Sequence, residues 1–326
     1  MSSDLREPAL VFDHGSHTIK AGLCLDNTPS VILPTSHATS DREQPYHSAY
    51  DSLSLSDKSA SHPVVLATDI STTYAELAKT ASVFFNTFGS PSLLLEKSHL
   101  LSLYSVGRSN GISVDSGYEK TRIVQVWQGF VLNYTATTVA KGGKTVDDKL
   151  SELIRDTAQG VESEVLDDIK ESCCFVDVGD GNSGGEKEYE LPDGNVLKLG
   201  AGGWANTTEG LFRSDGQGLG VAEAARQTIG KCDDDLRAGM YGQVVLSGGN
   251  TMLPGYAARL QKELENGAPA GVRVNVIASP ARKYAAWVGG AIAGRDSTVM
   301  KHMAVTRAEY EETGDAIIRR KFIGYS

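Results

Sequence analysis

Residues 11–22 read VFDHGSHTIKAG, and the rest of the sequence can be interpreted from this stretch outward. An apolar run leads into Asp13, Gly15 and Ser16 then supply a turn, and a second extended segment follows. This pattern predicts a β-hairpin whose polar groups collect at its tip. Gly15 permits a close approach of the backbone, and successive N–H groups in such a turn favour an anion.

The side chains near the tip suit a phosphate that is bound together with a metal ion. Ser16 offers a hydroxyl donor, and Lys20 offers a positive charge. Asp13 would repel a bare phosphate, so its presence indicates an intervening Mg²⁺, which takes oxygen ligands and keeps several waters. Taken by itself, the stretch is also compatible with an ordinary hairpin that a Gly-Ser turn closes.

A second stretch repeats this arrangement. Residues 111–126 read GISVDSGYEKTRIVQV, in which an apolar strand ends at Asp115 and the turn contains Ser116 and Gly117. Two Asp-tipped hairpins predict two similar halves that face one another. A phosphate and its metal would lie between these halves, because ligand sites concentrate in such clefts.

A third loop has the character of a nucleotide-binding turn. Residues 244–255 read VVLSGGNTMLPG, so an apolar strand delivers Gly248 and Gly249 to the start of a helix. Backbone N–H groups are free for an anion at a helix start, and glycine also lets a flat base approach the backbone.

Composition limits the class of protein. The 326 residues are 40% apolar, which predicts two domains or two halves with substantial cores. The net charge of −10 disfavours autonomous binding of nucleic acid. No apolar run reaches the ~18–20 residues of a membrane-spanning helix, and the N-terminus lacks a signal-peptide core. The spacing of the four cysteines predicts reduced, buried thiols in an intracellular protein: Cys24, Cys173, Cys174 and Cys232.

Seven motifs, in collinear order over most of the chain, resemble actin and the actin-related proteins. YELPDG and ARKYAAWVGG carry most of the specificity, because the wider sugar-kinase and chaperone ATPase superfamily shares the loops but not these two sequences. The motifs occupy residues 11–23, 100–117, 168–176, 189–200, 244–264, 279–293 and 309–322.

The resemblance implies an α/β protein with the actin-like ATPase fold, in which two related ribonuclease-H-like halves surround a nucleotide cleft. We expect a first half over residues 1–141 and a second over residues 142–283. Residues 284–326 would form helices that return to the first half. Residues 35–62 are Ser-rich and polar, so we expect a flexible loop, or simply an exposed connection, in place of the outer small subdomain of actin.

The resemblance also assigns a metal site and a nucleotide site. Asp13 and Asp115 would hold water-coordinated Mg²⁺, and the implied cofactor is ATP or ADP with this metal. Ordinary solvated charge is the alternative interpretation for Lys170, Glu171 and Lys283. The cofactor-binding positions are Gly15, Ser16, Lys20, Ser116, Gly117, Lys170, Glu171, Gly248, Gly249 and Lys283.

The hydrolytic positions depart from those of actin. Ser98 takes the place of the glutamine that positions the attacking water, and Arg122 replaces a histidine that helps it. His99 is a candidate substitute base, although a histidine in such a helix is more often structural. Because phosphoryl transfer depends on positioning and charge stabilisation, we expect weak or absent hydrolysis and no catalytic residue at these places.

One further departure concerns nucleotide affinity. Glu119 stands where a glycine of actin meets the terminal phosphate. Two like charges ~4 Å apart repel by about 4 kcal/mol at an effective dielectric constant of 20. A triphosphate should therefore be held weakly, unless Glu119 turns away or pairs with Lys120 or Arg122.

The filament surfaces depart as well. Residues 35–62 are too short and too polar for the outer subdomain of actin, and residues 212–220, FRSDGQGLG, replace its apolar plug. A filament needs one heterologous surface that repeats from head to tail. We therefore expect a chain that does not polymerise by itself.

The leading hypothesis is a divergent actin-related protein that serves as a structural subunit of a multiprotein assembly. Such assemblies include chromatin remodellers, dynactin-like complexes and axonemal dynein arms, in the cytoplasm and cytoskeleton or in the nucleus. Its partners would be proteins, including actin or other actin-related proteins, without direct contact to nucleic acid or membrane. The alternatives are an active nucleotide-switch ATPase and a protein that caps or regulates actin filaments.

Overall fold

The computed structural model describes residues 7–35, 43–155, 161–179, 187–216 and 218–325. It divides into two compact units. The first contains the chain up to Ser109, together with Val126–Asn133 and the chain from Tyr284 onward. The second contains Asn110–Gln125 and Tyr134–Lys283. The chain therefore changes unit after residues 109, 125, 133 and 283, whereas the predicted halves change after residues 141 and 283.

The regular elements are numbered here in chain order. The strands are β1 (Leu10–His14), β2 (Thr18–Leu23), β3 (Val31–Pro34), β4 (Val64–Thr68), β5 (Ser92–Lys97), β6 (Gly111–Ser116), β7 (Thr121–Trp127), β8 (Phe130–Val131), β9 (Thr137–Val139), β10 (Glu188–Glu190), β11 (Val196–Lys198), β12 (Val244–Ser247), β13 (Val276–Ile277) and β14 (Val305–Thr306). The helices are α1 (Gln44–Ser52), α2 (Tyr74–Ser82), α3 (Ser98–Tyr104), α4 (Gly143–Ile154), α5 (Ser163–Cys173), α6 (Gly200–Asn206), α7 (Glu209–Phe212), α8 (Val221–Gly230), α9 (Asp234–Tyr241), α10 (Tyr256–Gly267), α11 (Ala285–Arg295), α12 (Ser297–Met303), α13 (Arg307–Thr313) and α14 (Ala316–Lys321).

The sheet of the first unit has the order β14-β5-β4-β1-β2-β3. Strands β1 and β2 form the predicted hairpin, an antiparallel pair in which Asp13 lies opposite Lys20. Strands β1, β4 and β5 are parallel, so their carboxyl ends share one edge of the sheet. This arrangement places Asp13 and Glu96 on either side of Ala67, in one row at that edge.

The sheet that contains the second hairpin has the order β13-β12-β6-β7-β8, and β9 also pairs with β7. Strands β6 and β7 are neighbours in this sheet, which confirms the second predicted hairpin. Strand β12 runs parallel to β6, with Ser247 beside Asp115. Because these parallel strands end at the same level, the second and third predicted loops lie next to each other within the second unit.

Residues 43–62 correct the expectation of a flexible loop. They contain helix α1 and a short 3-10 helix over Ser56–Ser61. One face of α1 is buried in the first unit, where Tyr46, Ala49 and Tyr50 follow the spacing of adjacent helical turns. Residues 36–42, the other part of the same prediction, lie outside the described residues.

Aromatic contacts hold α1 on the first unit. The Tyr50 ring stacks on Phe88 with 4.6 Å between ring centroids, and the Tyr46 ring packs edge to face on Phe84 at 4.9 Å. Such pairs add about 0.5–1.5 kcal/mol each to the effect of burying their area. This burial offsets the entropy of ordering a segment that is otherwise polar.

Several other expectations can be compared with the described residues. The Gly-rich region after residue 200 contains α6 and α7, in which Trp204 and Leu211 are fully buried. Gly314 has a φ of 60° and separates α13 from α14. All four cysteines are free and buried, as expected. Among the described helices, none is long and apolar enough to cross a membrane.

Candidate functional site

The first loop is a tight turn at the end of β1. The Gly15 N–H donates to the Thr18 carbonyl at 3.0 Å, and the Thr35 hydroxyl donates to the Gly15 carbonyl at 2.9 Å. The Lys20 ammonium lies 3.3 Å from the Asp13 carboxylate, and both side chains are mostly buried. The loop therefore holds a carboxylate and an ammonium side by side, while Ser16 is half-buried at the turn.

Helix α1 contacts this first loop. Neither the helix nor the contact was predicted from the sequence. The Tyr46 hydroxyl lies 3.1 Å from His14 Nδ1, and the two rings meet edge to face. The four-residue spacing of Tyr46 and Tyr50 was the available signal, because it puts two large rings on one face of a helix. The segment that replaces the outer subdomain thus supports the residue next to Asp13.

The second loop uses its polar groups inside its own unit. Ser116 is fully buried, and its hydroxyl lies 2.9 Å from the Thr121 hydroxyl. The Asn250 amide donates to the Ser116 hydroxyl at 3.2 Å and to the Gly117 carbonyl at 2.6 Å. Ser116, expected to contact a phosphate, therefore stabilises the conformation of the loop through its hydrogen bonds to Thr121 and Asn250.

The third loop interlocks with the second. Gly248 has a φ of 89°, and a Cβ added to it would lie 2.3 Å from the Ser116 carbonyl oxygen. The Ser247 hydroxyl donates to the Asp115 carboxylate at 3.1 Å. Gly248 is thus required for the packing of two loops. Gly249 differs, because an added Cβ there would meet nothing within 4 Å, which leaves its backbone open to a ligand.

Lys170 is already paired within the second unit. Its ammonium lies 2.8 Å from Asp147 and 2.6 Å from Asp167, and it is 5.7 Å from the centre of the Tyr118 ring. Burial alone would lower the pKa of Lys170, but the two carboxylates outweigh it and raise that pKa above the ordinary lysine value. Asp147 and Asp167 were not recognised from the sequence.

Glu171 and Lys283 meet each other in the same unit. The Lys283 ammonium lies 2.7 Å from the Glu171 carboxylate, and the side chains are 39% and 65% exposed, respectively. An exposed pair of this kind contributes about 0–1 kcal/mol. The structure therefore brings together two residues that the resemblance assigned to the nucleoside, and it leaves both accessible.

The positions that depart from actin have different surroundings. Ser98 begins helix α3, and its carbonyl accepts a hydrogen bond from the Ser102 hydroxyl at 2.8 Å. His99 is 1% exposed and Arg122 is 9% exposed, whereas Glu119 is exposed at the second turn. The burial of His99 within the first unit argues against a base that meets bulk water.

Two compact α/β units, each with a hairpin inside its sheet whose first strand ends near an Asp, define the actin-like ATPase fold. The actin family model matches residues 43–323, and the chain belongs to the actin family. The matched region includes helix α1 and the second and third loops. It begins after the first hairpin, whose role rests on its likeness to actin's first loop and to the second hairpin.

The residues present fit a metal-bound phosphate better than they fit a nucleoside. Within the first unit, Asp13 beside Lys20 offers a carboxylate and an ammonium that suit Mg²⁺ with phosphate oxygens. Within the second unit, the Asp115 carboxylate accepts a hydrogen bond from Ser247, and the open backbone of Gly249 follows two residues later. Lys170 does not fit as a ligand of the nucleoside in the present arrangement, because two carboxylates already hold its ammonium. Binding through Lys170 would first require at least one of these ion pairs to break.

Proposed function

We propose that this actin-family chain is a non-polymerising structural subunit of a multiprotein assembly. The supporting observation is that the described chain between β3 and β4 forms helix α1, which packs on the core of the first unit. At this place actin has its outer subdomain and filament-joining loop. The described part of this segment folds onto the core of the first unit through Tyr46 and Tyr50. Apart from Ala60, its exposed residues are polar, including Gln44, His47 and Asp51. Residues 43–62 present no large exposed hydrophobic side chain for insertion into a neighbour.

The segment that replaces the apolar plug supports the same proposal. The buried Lys141 ammonium holds this segment against the second unit through three hydrogen bonds. It donates to the Arg213 carbonyl at 2.6 Å, the Asp215 carboxylate at 3.0 Å and the Gly218 carbonyl at 3.4 Å. The described residues over 213–218 are exposed and polar or glycine. A lateral filament contact here would lack the roughly 25 cal/mol per Å² that buried apolar area provides.

We further propose that the chain binds ATP or ADP with Mg²⁺ only weakly. Asp13 and Asp115 would hold the metal through its waters, and Mg²⁺ would supply charge neutralisation for the phosphates. Glu119 adds a negative charge to the second turn, and Lys170 is held by Asp147 and Asp167. Both features oppose a nucleotide, and the pseudo-ATPase character follows from Ser98 and Arg122.

The partners that we propose are proteins of a larger complex, of the cytoskeletal, dynactin-like, axonemal or chromatin-remodelling type. Actin or another actin-related protein is one candidate among these partners. The net charge of −10 opposes direct binding to nucleic acid or to an anionic membrane surface. The proposed location is the cytoplasm and its cytoskeleton, with the nucleus as the alternative.

Filament assembly is the direct test of this function. We expect the purified chain to stay in the supernatant after high-speed centrifugation, at concentrations and salt where actin pellets, and to show no filaments by electron microscopy. Actin under identical conditions is the positive control. Helical filaments of this chain alone would refute the structural-subunit hypothesis.

Hydrolysis of ATP separates the proposal from an active switch. We expect phosphate release at the level of a protein-free control, because Ser98 and Arg122 replace the residues that position the attacking water in actin. A malachite-green or coupled assay with Mg-ATP measures this release, and His99→Ala should leave it unchanged. Steady release at a rate like that of actin, lost in His99→Ala, would instead support a nucleotide-switch ATPase.

A further inference from the structure

We propose that the first unit contains a binding pocket for a short peptide with the sequence glycine–tyrosine, and that residues 323–325 of this chain occupy it. The pocket comprises Lys97, Asn133 and Thr68, from three separate parts of the first unit. None of these three residues belongs to the three predicted nucleotide loops or to the segments that replace the filament contacts of actin.

The carbonyl group of Gly324 is recognised by two donors. The Lys97 ammonium donates to it at 2.6 Å, and the Asn133 side-chain amide donates to it at 2.8 Å. The same ammonium donates to the Asn133 side-chain oxygen at 3.0 Å, which closes a small ring of hydrogen bonds. Gly324 has a φ of 86°, in the left-handed region, so the pocket selects glycine at this position.

The side chain of Tyr325 is recognised at both its face and its hydroxyl. The Lys97 ammonium lies 4.7 Å from the ring centre, a cation–π distance, and the phenol oxygen lies 2.6 Å from the Thr68 hydroxyl. The Tyr74 ring flanks it with 6.2 Å between centroids. Tyr325 is consequently 9% exposed, although the preceding Ile323 is 77% exposed.

The charge of Lys97 explains why the pocket needs an occupant. Lys97 is only 4% exposed, and a buried ammonium that loses its partners carries a large desolvation cost. The docked segment supplies both a carbonyl and an aromatic face to this ammonium. An empty pocket would therefore favour either water entry or another peptide with the same two groups.

The position of the pocket gives it a mechanical consequence. Lys97 is the residue immediately before helix α3, and Asn133 is the last residue of the segment 126–133 before the chain leaves the first unit. Through its Gly324 carbonyl, the docked segment thus links Lys97, at the start of α3, to Asn133, after which the chain enters the second unit. The family match ends at residue 323, so Gly324 and Tyr325 lie beyond the shared actin pattern.

Thermal unfolding of the full chain is the first test. Tyr325→Ala should lower the melting midpoint of the first unit by roughly 5–10 °C, because it removes a buried ring and leaves Lys97 without its aromatic partner. Tyr325→Phe should lower it less, since it removes only the bond to Thr68. Ile323→Ala is the matched control, an exposed neighbour that should leave the midpoint within about 1–2 °C.

Peptide binding in trans distinguishes a pocket from a merely structural tail. A fluorescent peptide with the sequence of residues 321–326, KFIGYS, should bind the Tyr325→Ala chain in an anisotropy titration. The unchanged chain should bind it at least about tenfold more weakly, because its own tail competes at an effective concentration of order millimolar. A peptide with alanine in place of tyrosine should bind neither chain.

Two results would overturn the proposal. Equal melting midpoints for Tyr325→Ala and Ile323→Ala would show that the tail contributes no more than an exposed residue. Destabilisation of Tyr325→Ala without any peptide binding would show that the tail is structural and that no separate pocket exists. Neither result bears on filament formation, so the proposed function stands or fails separately.

Discussion

Tyr50→Ala is expected to destabilise the first unit by about 3–5 kcal/mol, the range for truncating a large buried ring. Tyr50 is 1% exposed and contacts the rings of Phe12 and Phe88. Burial also raises the pKa of its phenol above the ordinary tyrosine value, as expected for a hydroxyl removed from water. A residue in a flexible surface loop would produce almost no effect, so this variant tests whether the segment is folded.

Urea or thermal unfolding of the full chain, followed by near-ultraviolet circular dichroism, measures the loss. Tyr50→Phe keeps the ring and should retain most of the stability, because the Tyr50 hydroxyl is buried without a well-formed hydrogen bond. Tyr134→Ala removes a 65% exposed tyrosine and should change the free energy of unfolding by less than about 0.5 kcal/mol. Indistinguishable stabilities of Tyr50→Ala and Tyr134→Ala would contradict the docking of α1.

Local sequence determined both hairpins well. In each one, an apolar strand, a carboxylate and a small-residue turn follow one another within a few positions, so no distant contact is needed to recognise them. Helix α1 lacks that property. Its composition is mostly polar. Its three buried residues can be recognised as a core face only once they pack in one cluster with Phe12, Phe84 and Phe88, which lie elsewhere in the sequence.

The candidate site shows the same division between local and distant information. Asp13 and Asp115 could be proposed from the ends of their own strands. The pairing of Lys170 with Asp147 joins positions 23 residues apart, and the bond from Asn250 to Ser116 spans 134 residues. Sequence alone marks Lys170 and Ser116 as ligands of a nucleoside or a phosphate. Only the folded unit shows that both side chains are already engaged by other residues of the chain.

A half-buried carboxylate in the first unit, that of Glu96, leads to the second large expected effect. Glu96 lies at the carboxyl end of β5, and burial raises its pKa from 4.5 to about 7, against the opposing influence of the Lys97 N–H and charge. The Lys97 N–H donates to the Glu96 carboxylate at 2.8 Å, and the nearby phenols of Tyr104 and Tyr325 carry no charge at neutral pH. The folded chain therefore holds a proton here at a pH where the unfolded chain has released it.

The sign of the pH dependence follows from this difference. Between about pH 4.5 and 7 the folded state binds the proton more tightly than the unfolded state, so stability falls as pH rises through this window. Above pH 7 the full cost is present, at most about 3 kcal/mol. Glu96→Gln resembles the protonated carboxyl group and keeps an oxygen for the Lys97 N–H. The variant should therefore be more stable than the unchanged chain at pH 8 and nearly equal to it at pH 5.

Urea unfolding at pH 5, 6, 7 and 8 checks this expectation for Glu96→Gln beside the unchanged chain. The difference in the free energy of unfolding should grow with pH and level off above about pH 7, in step with the ionisation of Glu96. Glu188→Gln is the matched control, because Glu188 is exposed and paired with the equally exposed Lys198. Its difference should stay within about 1 kcal/mol at every pH. A Glu96→Gln chain that is less stable at pH 8 would mean that Glu96 is ionised in the folded protein and that its attraction to Lys97 outweighs the cost of burial.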